Sequence, residues 1–218
     1  MAYNVLSLTS LVRRKLKDNS YSASDILSFL NDAQSEIADL HEWTFFEALV
    51  EGAGTQDEYT FEQQDNHQVT NKLVLVDPDD SAIYKVMDDY YLPYEEFFER
   101  FPVPDAHDSA WPTYWTEYGD QLYFNCPMDK AYKIRRWYIR DPVDLDDNAD
   151  VPELPVSFRE ALVLGAAYRA EEQRDNYDYA AVLQQKFNDR VGDLINKIVN
   201  RQNITPEELN RANSQNNE

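Results

Sequence analysis

The chain has 218 residues, 43% of them hydrophobic, which is enough for one domain, or one domain with a smaller elaboration, around a real core. Its formal net charge of −21 argues against binding that works by Lys and Arg displacing counterions from a phosphate backbone, although an acidic wall can still surround a polyanion without holding it. The single cysteine, Cys126, excludes an intrachain disulfide, and the 15 Tyr, 10 Phe and 4 Trp suit either an aromatic core or extensive subunit contacts.

The first apolar residues (Val5, Leu6, Leu8, Leu11, Val12) precede the basic cluster Arg13, Arg14, Lys15. A secretory signal has the reverse order, so a soluble, cytosol-made protein is expected. Residues 7–17 read as a short helix capped by Ser7 or Thr9, with Leu8, Leu11, Val12 and Leu16 at helical spacing. A second helix is predicted over Ser24–Leu40, with Ser24 as cap and Asp25 in the first turn. Its apolar stripe includes Ile26, Phe29, Leu30, Ala33 and Ile37, and Trp43 follows it. The period then changes. Phe45–Val50, Tyr59–Phe61, Leu73–Val76 and Ile83–Met87 are short, rich in β-formers and separated by Gly, Asp and Pro. Pro93–Phe101 suggests a short helix. Thr113–Glu117 and Gln121–Asn125 form a hairpin around Gly119-Asp120, and Tyr132–Tyr138 is expected to complete a three-strand meander. Residues 141–155 make an acidic loop bearing Asp141, Asp144, Asp146, Asp147, Asp150 and Glu153. Helix returns at Ser157–Gln173, and a last long helix starts near Asp175 or Asn176, with Leu183, Phe187, Val191 and Leu194 along its stripe. Phe29, Leu30, Ile37, Phe158, Leu162 and Phe187 are the expected helical core. No run of about 18 apolar residues occurs, so no membrane-spanning helix is expected.

Catalytic signatures are missing. None of the five glycines sits in a phosphate-cradling pattern, and there is no GxSxG elbow. Cys126 lies beside Pro127 with no His placed to activate it, so an inert thiol is expected. His107 between Asp105 and Asp108 lacks a second His for a metal. With 41 acidic residues, carboxylate pairs arise by chance and say nothing about glycosidase chemistry. Asp144, Asp146, Asn148 and Asp150 alternate like calcium-loop ligands, but Ala149 stands where glycine is needed and Pro155 where the closing Glu belongs. No enzyme activity, cofactor or metal is expected.

Three stretches together resemble the head-to-tail adaptor family of tailed bacteriophages, also called connector, head-completion or tail accessory proteins. They are Asp25-Ile-Leu-Ser-Phe-Leu-Asn-Asp-Ala-Gln-Ser-Glu-Ile-Ala38 followed by Trp43; Trp111-Pro-Thr-Tyr114 with Gly119-Asp-Gln-Leu-Tyr-Phe-Asn-Cys-Pro127; and Tyr138-Ile-Arg-Asp-Pro142, the acidic loop, and Leu154-Pro155 opening a helix. The resemblance covers roughly residues 6–200. No one stretch is specific; their order and spacing carry it.

The resemblance implies an α+β fold: a helical bundle of about four helices split by a β-rich antiparallel insertion. Residues 1–44 and 155–202 would form the bundle, or adaptor core, 45–154 the insertion with the acidic loop, and 203–218 a C-terminal tail. It also implies a structural virion protein at the neck, synthesised in the host cytoplasm. Such a protein forms a homo-oligomeric ring of twelve copies below the portal protein, joins capsid to tail or nozzle proteins, and extends the channel for genome packaging and ejection. DNA would pass without specific binding. Asp144, Asp146, Asp147 and Asp150 are candidates to face that channel. In the tail, Thr205 can cap a helix with Pro206 at its first position, and Ile204 and Leu209 are apolar anchors. These four are candidates for docking on the portal. Alternatives are another neck or tail-completion protein, an acidic DNA-mimic inhibitor, which nuclease inhibition would reveal, and a cell-wall hydrolase, which a zymogram would reveal.

Overall fold

A computed structural model of the chain describes residues 3–203, and the side chains of residues 3–198. In chain order the elements are α1 (Val5–Leu16), α2 (Ala23–Asp39), β1 (Glu47–Ala53), β2 (Thr60–Glu62), β3 (His67–Val76), β4 (Tyr84–Val86), α3 (Tyr94–Arg100), β5 (Trp115–Tyr118), β6 (Gln121–Phe124), β7 (Lys133–Arg140), α4 (Arg159–Gln173) and α5 (Tyr177–Asn203). They divide into two compact units, Met1–Glu42 with Pro142–Glu218, and Trp43–Asp141.

In the first unit, α1 starts two residues and α2 one residue earlier than the sequence suggests. The side chain of Asn4, rather than Ser7 or Thr9, accepts the Ser7 N–H at 3.0 Å and caps α1. Ser22, rather than Ser24, caps α2: its hydroxyl accepts the Asp25 N–H, and the Asp25 carboxylate accepts the Ser22 N–H, a complete capping box. Helix α4 is the common partner of α1, α2 and α5. The reason is compositional. Ala161 to Ala167 are all buried, so α4 is apolar around its whole circumference and needs cover on every side. Small residues let the cover come close: a Cβ built on Gly165 would lie 2.7 Å from the Ala33 Cβ and 3.1 Å from the Phe187 ring. Leu30, Ile37, Phe158, Leu162 and Phe187 are buried as expected, whereas Phe29 is half-buried against Tyr21.

The second unit holds two antiparallel sheets, ordered β1-β7-β3-β4 and β2-β6-β5. Alternation sends Leu73, Leu75 and Ile134 of the larger sheet and Trp115, Leu122 and Phe124 of the smaller into one shared core, completed by Met87, Met128 and Tyr132. The hairpin β5–β6 turns at Gly119, whose φ of +60° favours glycine. The expected three-strand meander does not form. β7 leaves the hairpin and inserts between β1 and β3 of the other sheet. The 126–129 turn that redirects it is pinned by Met128 N–H to the Glu58 carbonyl and by Ala110 N–H to the Pro127 carbonyl.

The helical bundle of about four helices split by an insertion is therefore corrected. The chain is mixed α and β, with two antiparallel sheets and, among the described residues, five α-helices, one of which (α3) belongs to the β-rich unit. The strands form a domain with its own core rather than an excursion from a bundle, and the C-terminal helices α4 and α5 follow it. Periodicity reveals each helix but not its partners, which is why the arrangement around α4 was not visible.

Candidate functional site

The acidic loop is anchored on the helices of the first unit. Asn31 of α2 holds Leu145 from both sides, its Nδ2 donating to the Leu145 carbonyl at 3.0 Å and its Oδ1 accepting the Leu145 N–H at 2.9 Å. The Leu145 side chain is buried. Gln34 Nε2 donates to the Val143 carbonyl at 2.9 Å. The loop in turn satisfies the start of α1, where Val5 N–H donates to the Asp150 carbonyl and Leu6 N–H to the Asn148 carbonyl. Its carboxylates differ in kind. Asp144, Asp146 and Asp147 are exposed. Asp150 is half-buried, and its Oδ2 accepts the backbone N–H groups of Asp146 and Asp147, both at 2.8 Å. The Asp147 and Asp146 donors hold the Asp150 carboxyl below the ordinary carboxylate range. Among the described residues, no group of three or more His, Cys, Asp or Glu is placed to hold a metal ion. The docking candidates Ile204, Thr205, Pro206 and Leu209 lie outside the described residues.

Within the β-rich unit, a polar cluster fills one end of the space between the sheets. Glu117 on β5 accepts from the Thr70 hydroxyl and from Gln63 Nε2, and lies 3.2 Å from His67 Nε2. Arg136 on β7, fully buried, donates to Gln64 Oε1 and stacks on Tyr138, its guanidinium carbon 5.0 Å from the ring centroid. Burial would raise the Glu117 carboxyl, but hydrogen bonds from His67 and Thr70, with the charge His67 carries when protonated, hold it below its usual value. Burial draws the Arg136 guanidinium down, and Glu117 opposes that. The combination of His, Glu and Thr superficially suits nucleophilic catalysis. Its geometry suits a staple between sheets: the His67 side chain is only 6% exposed, and Thr70 points its hydroxyl at the carboxylate that would have to activate a base.

The other face of the small sheet is a surface of rings. Tyr94 and Phe98 of α3 pack against Tyr118 of β5 with centroids 5.3 and 5.9 Å apart, and Phe98 reaches Tyr123 of β6 at 5.4 Å. Tyr94 and Tyr118 remain exposed. Tyrosines that are part packed and part wet suit a protein interface. The sequence shows the abundance of tyrosine; only the pairing of α3 with the hairpin gathers these rings. Cys126 is buried, and burial pushes its thiol up, which disfavours the reactive thiolate.

The sequence model of the SU10 adaptor protein family matches residues 3–213. No curated protein matches the chain. The match takes in both units and the acidic loop, and it agrees with the three stretches whose order suggested a head-to-tail adaptor. The chain belongs to the SU10 adaptor family and is a phage structural protein of the adaptor type.

Proposed function

We propose that the chain acts as a head-to-tail adaptor, twelve copies of which form a ring below the portal, join the capsid to tail proteins and extend the DNA channel. The observation that carries this reading is the family match across residues 3–213. The net charge of −21 supports it, since a ring of such subunits would surround DNA with a field that repels it and keeps it mobile. The exposed ring surface of α3 and the hairpin supports a protein partner for the β-rich unit, which we assign to the tail side. The tail residues Ile204, Thr205, Pro206 and Leu209 are assigned to the portal side, where a capped helical turn with two apolar anchors would order on its partner.

Negative-stain images of the chain mixed with purified portal test the reading directly. Twelve-fold rings on one face of the portal are expected. Deleting residues 203–218 should leave helical circular dichroism and melting nearly unchanged and abolish or greatly weaken portal binding. Unchanged affinity of the truncated chain would move the docking role to the helical body, and absence of any portal complex with the full chain would overturn the adaptor reading.

A further inference from the structure

A second surface of the helical unit has the opposite sign to the rest of the chain. Between α1, α4 and α5 lies a cavity of about 450 Å³. Its floor is apolar, made by Leu11, Val163 and Leu164, and Val156, 56% exposed, stands at its edge. Its rim carries Arg14, Lys15, Arg159 and Arg190 against Glu160, and on the α5 side Lys15, Glu160 and Arg190 also border an adjoining hollow with Lys186, Asp189 and Asp193, so cations still outnumber carboxylates. Glu160 is engaged with Arg190 at 3.3 Å, and among the described residues neither Arg14 nor Lys15 meets a carboxylate. Four of the chain's 20 basic residues thus gather at one hollow in a protein with 41 acidic ones.

The acidic loop has the complementary character. It presents Asp144, Asp146 and Asp147 to solvent, flanked by Val143 at 59% and Val151 at 61% exposure. Asn31, Gln34 and the Asp150 carboxylate hold its backbone in shape, so little ordering entropy is lost when it binds. The groove opens among α1, α4 and α5, whereas the loop is fastened to α2 and to the first turn of α1. Each patch has an excess of one sign and repels a copy of itself, so a symmetric, self-complementary pairing is disfavoured. Two unlike patches at different places on one subunit make a heterologous contact, the kind that closes into rings.

We propose that the acidic loop of one copy docks in the basic groove of the next, with Asp144, Asp146 and Asp147 meeting Arg14 and Lys15, and Val151 entering toward the apolar floor. The ring this contact would build rests on the adaptor reading; the contact itself does not. It draws the three exposed carboxylates away from the channel wall and into the subunit boundary. The chain's own tail, with Glu207 and Glu208, is a poorer occupant because Arg211 offsets part of its charge. A DNA backbone has no apolar group for the floor.

The test is site-directed cross-linking of full-length chains. Ser157→Cys marks the groove and Ala149→Cys, at an exposed loop position, marks the loop without removing a charge or the Val151 contact; buried Cys126 serves as the background in the parent chain. A short bis-maleimide linker is applied at high protein concentration and moderate salt, both in free solution and on portal complexes. A mixture of the two single-cysteine chains should give linked dimer, each alone should stay at the parent's background, and a chain carrying both should give a ladder. Arg14→Glu with Lys15→Glu should lower the mixed dimer roughly tenfold or more, since like charges brought together at an interface repel. Asp144→Lys with Asp146→Lys on the loop partner should restore it, which a folding defect could not mimic. Absence of mixed dimer, dimers from one single-cysteine chain alone, or linkage of the groove to Leu209→Cys in the tail would each overturn the proposal. If portals are decorated normally while no mixed dimer forms, the loop contact fails and the adaptor reading stands. If mixed dimer forms but portals stay bare, the reverse holds.

Discussion

At the scale of single residues, charge and room decide most. Glu117 is a partly buried carboxylate whose folded pKa lies below its ordinary value, so it adds stability that is fully present above the ordinary glutamate range. That stability is lost as pH falls through the lower folded value. Urea unfolding followed between neutral pH and about pH 3 should therefore show a steeper acid loss for the parent than for Glu117→Gln. The glutamine variant also leaves buried Arg136 without its nearby anion, so it should be less stable at neutral pH. Adding Arg136→Met should recover part of the loss, because removing both charges costs less than stranding one. No recovery in the double variant would mean the two side chains act independently. Asp150 offers a second contrast. Asp150→Ala strips the acceptor from two backbone N–H groups and should lower the melting temperature, whereas Asp147→Asn, on an exposed neighbour, should leave it unchanged. Equal melting of the two variants would reduce Asp150 to ordinary solvated surface. Gly165 concerns room. A methyl there meets the Ala33 Cβ at 2.7 Å, so Gly165→Ala should cost about 1–3 kcal/mol by overpacking, despite alanine's better helix propensity. A gain in denaturant midpoint would show that α2 and α4 can move apart freely.

At the scale of elements, caps and burial account for the helices. α2 carries a full capping box at Ser22 and Asp25, and Ser22→Ala should lose about 1 kcal/mol in chemical unfolding. Ser24→Ala should lose less, since its hydroxyl meets the Ser22 hydroxyl at 2.7 Å while Ser22 supplies the cap. Ser24 has the right residue type for a cap but sits two residues too late, as the second residue of the helix. α4 follows another rule. Its alanines and glycine bring no large side chains, yet it is the most enclosed helix of its unit, because small residues let three partners approach one axis. Among the strands, β7 is the element on which the β-rich unit turns, since it has neighbours on both sides and carries Ile134, Arg136 and Tyr138 inward.

At the scale of the whole molecule, charge opposes association. Subunits at −21 repel one another over the Debye length, about 8 Å at physiological salt. Sedimentation velocity of the purified chain should show mainly monomer at micromolar concentration in moderate salt, with rings appearing on added portal. A stable free ring in dilute solution would mean that subunit contacts, the loop and groove among them, overcome repulsion without a template.

Much was legible from the residues in order. Apolar spacing marked α1, α2, α4 and α5, the Gly119-Asp120 turn marked the hairpin, and the order of three weak stretches pointed to the adaptor family, because helix stripes, turns and motif order are local or sequential properties. The acidic loop was also visible as composition. Four things were decided only in three dimensions. β7 joined the larger sheet instead of extending the hairpin, since strand pairing depends on which faces meet across long sequence separations. The helices gathered around α4, since periodicity shows that a face is apolar and not what covers it. The loop's aspartates separated into a structural Asp150 and three exposed neighbours, and Arg14, Arg159 and Arg190, far apart along an acidic chain, came to share one groove. A side chain's charge is written in the sequence, but which charges share a surface depends on contacts between segments far apart in the chain.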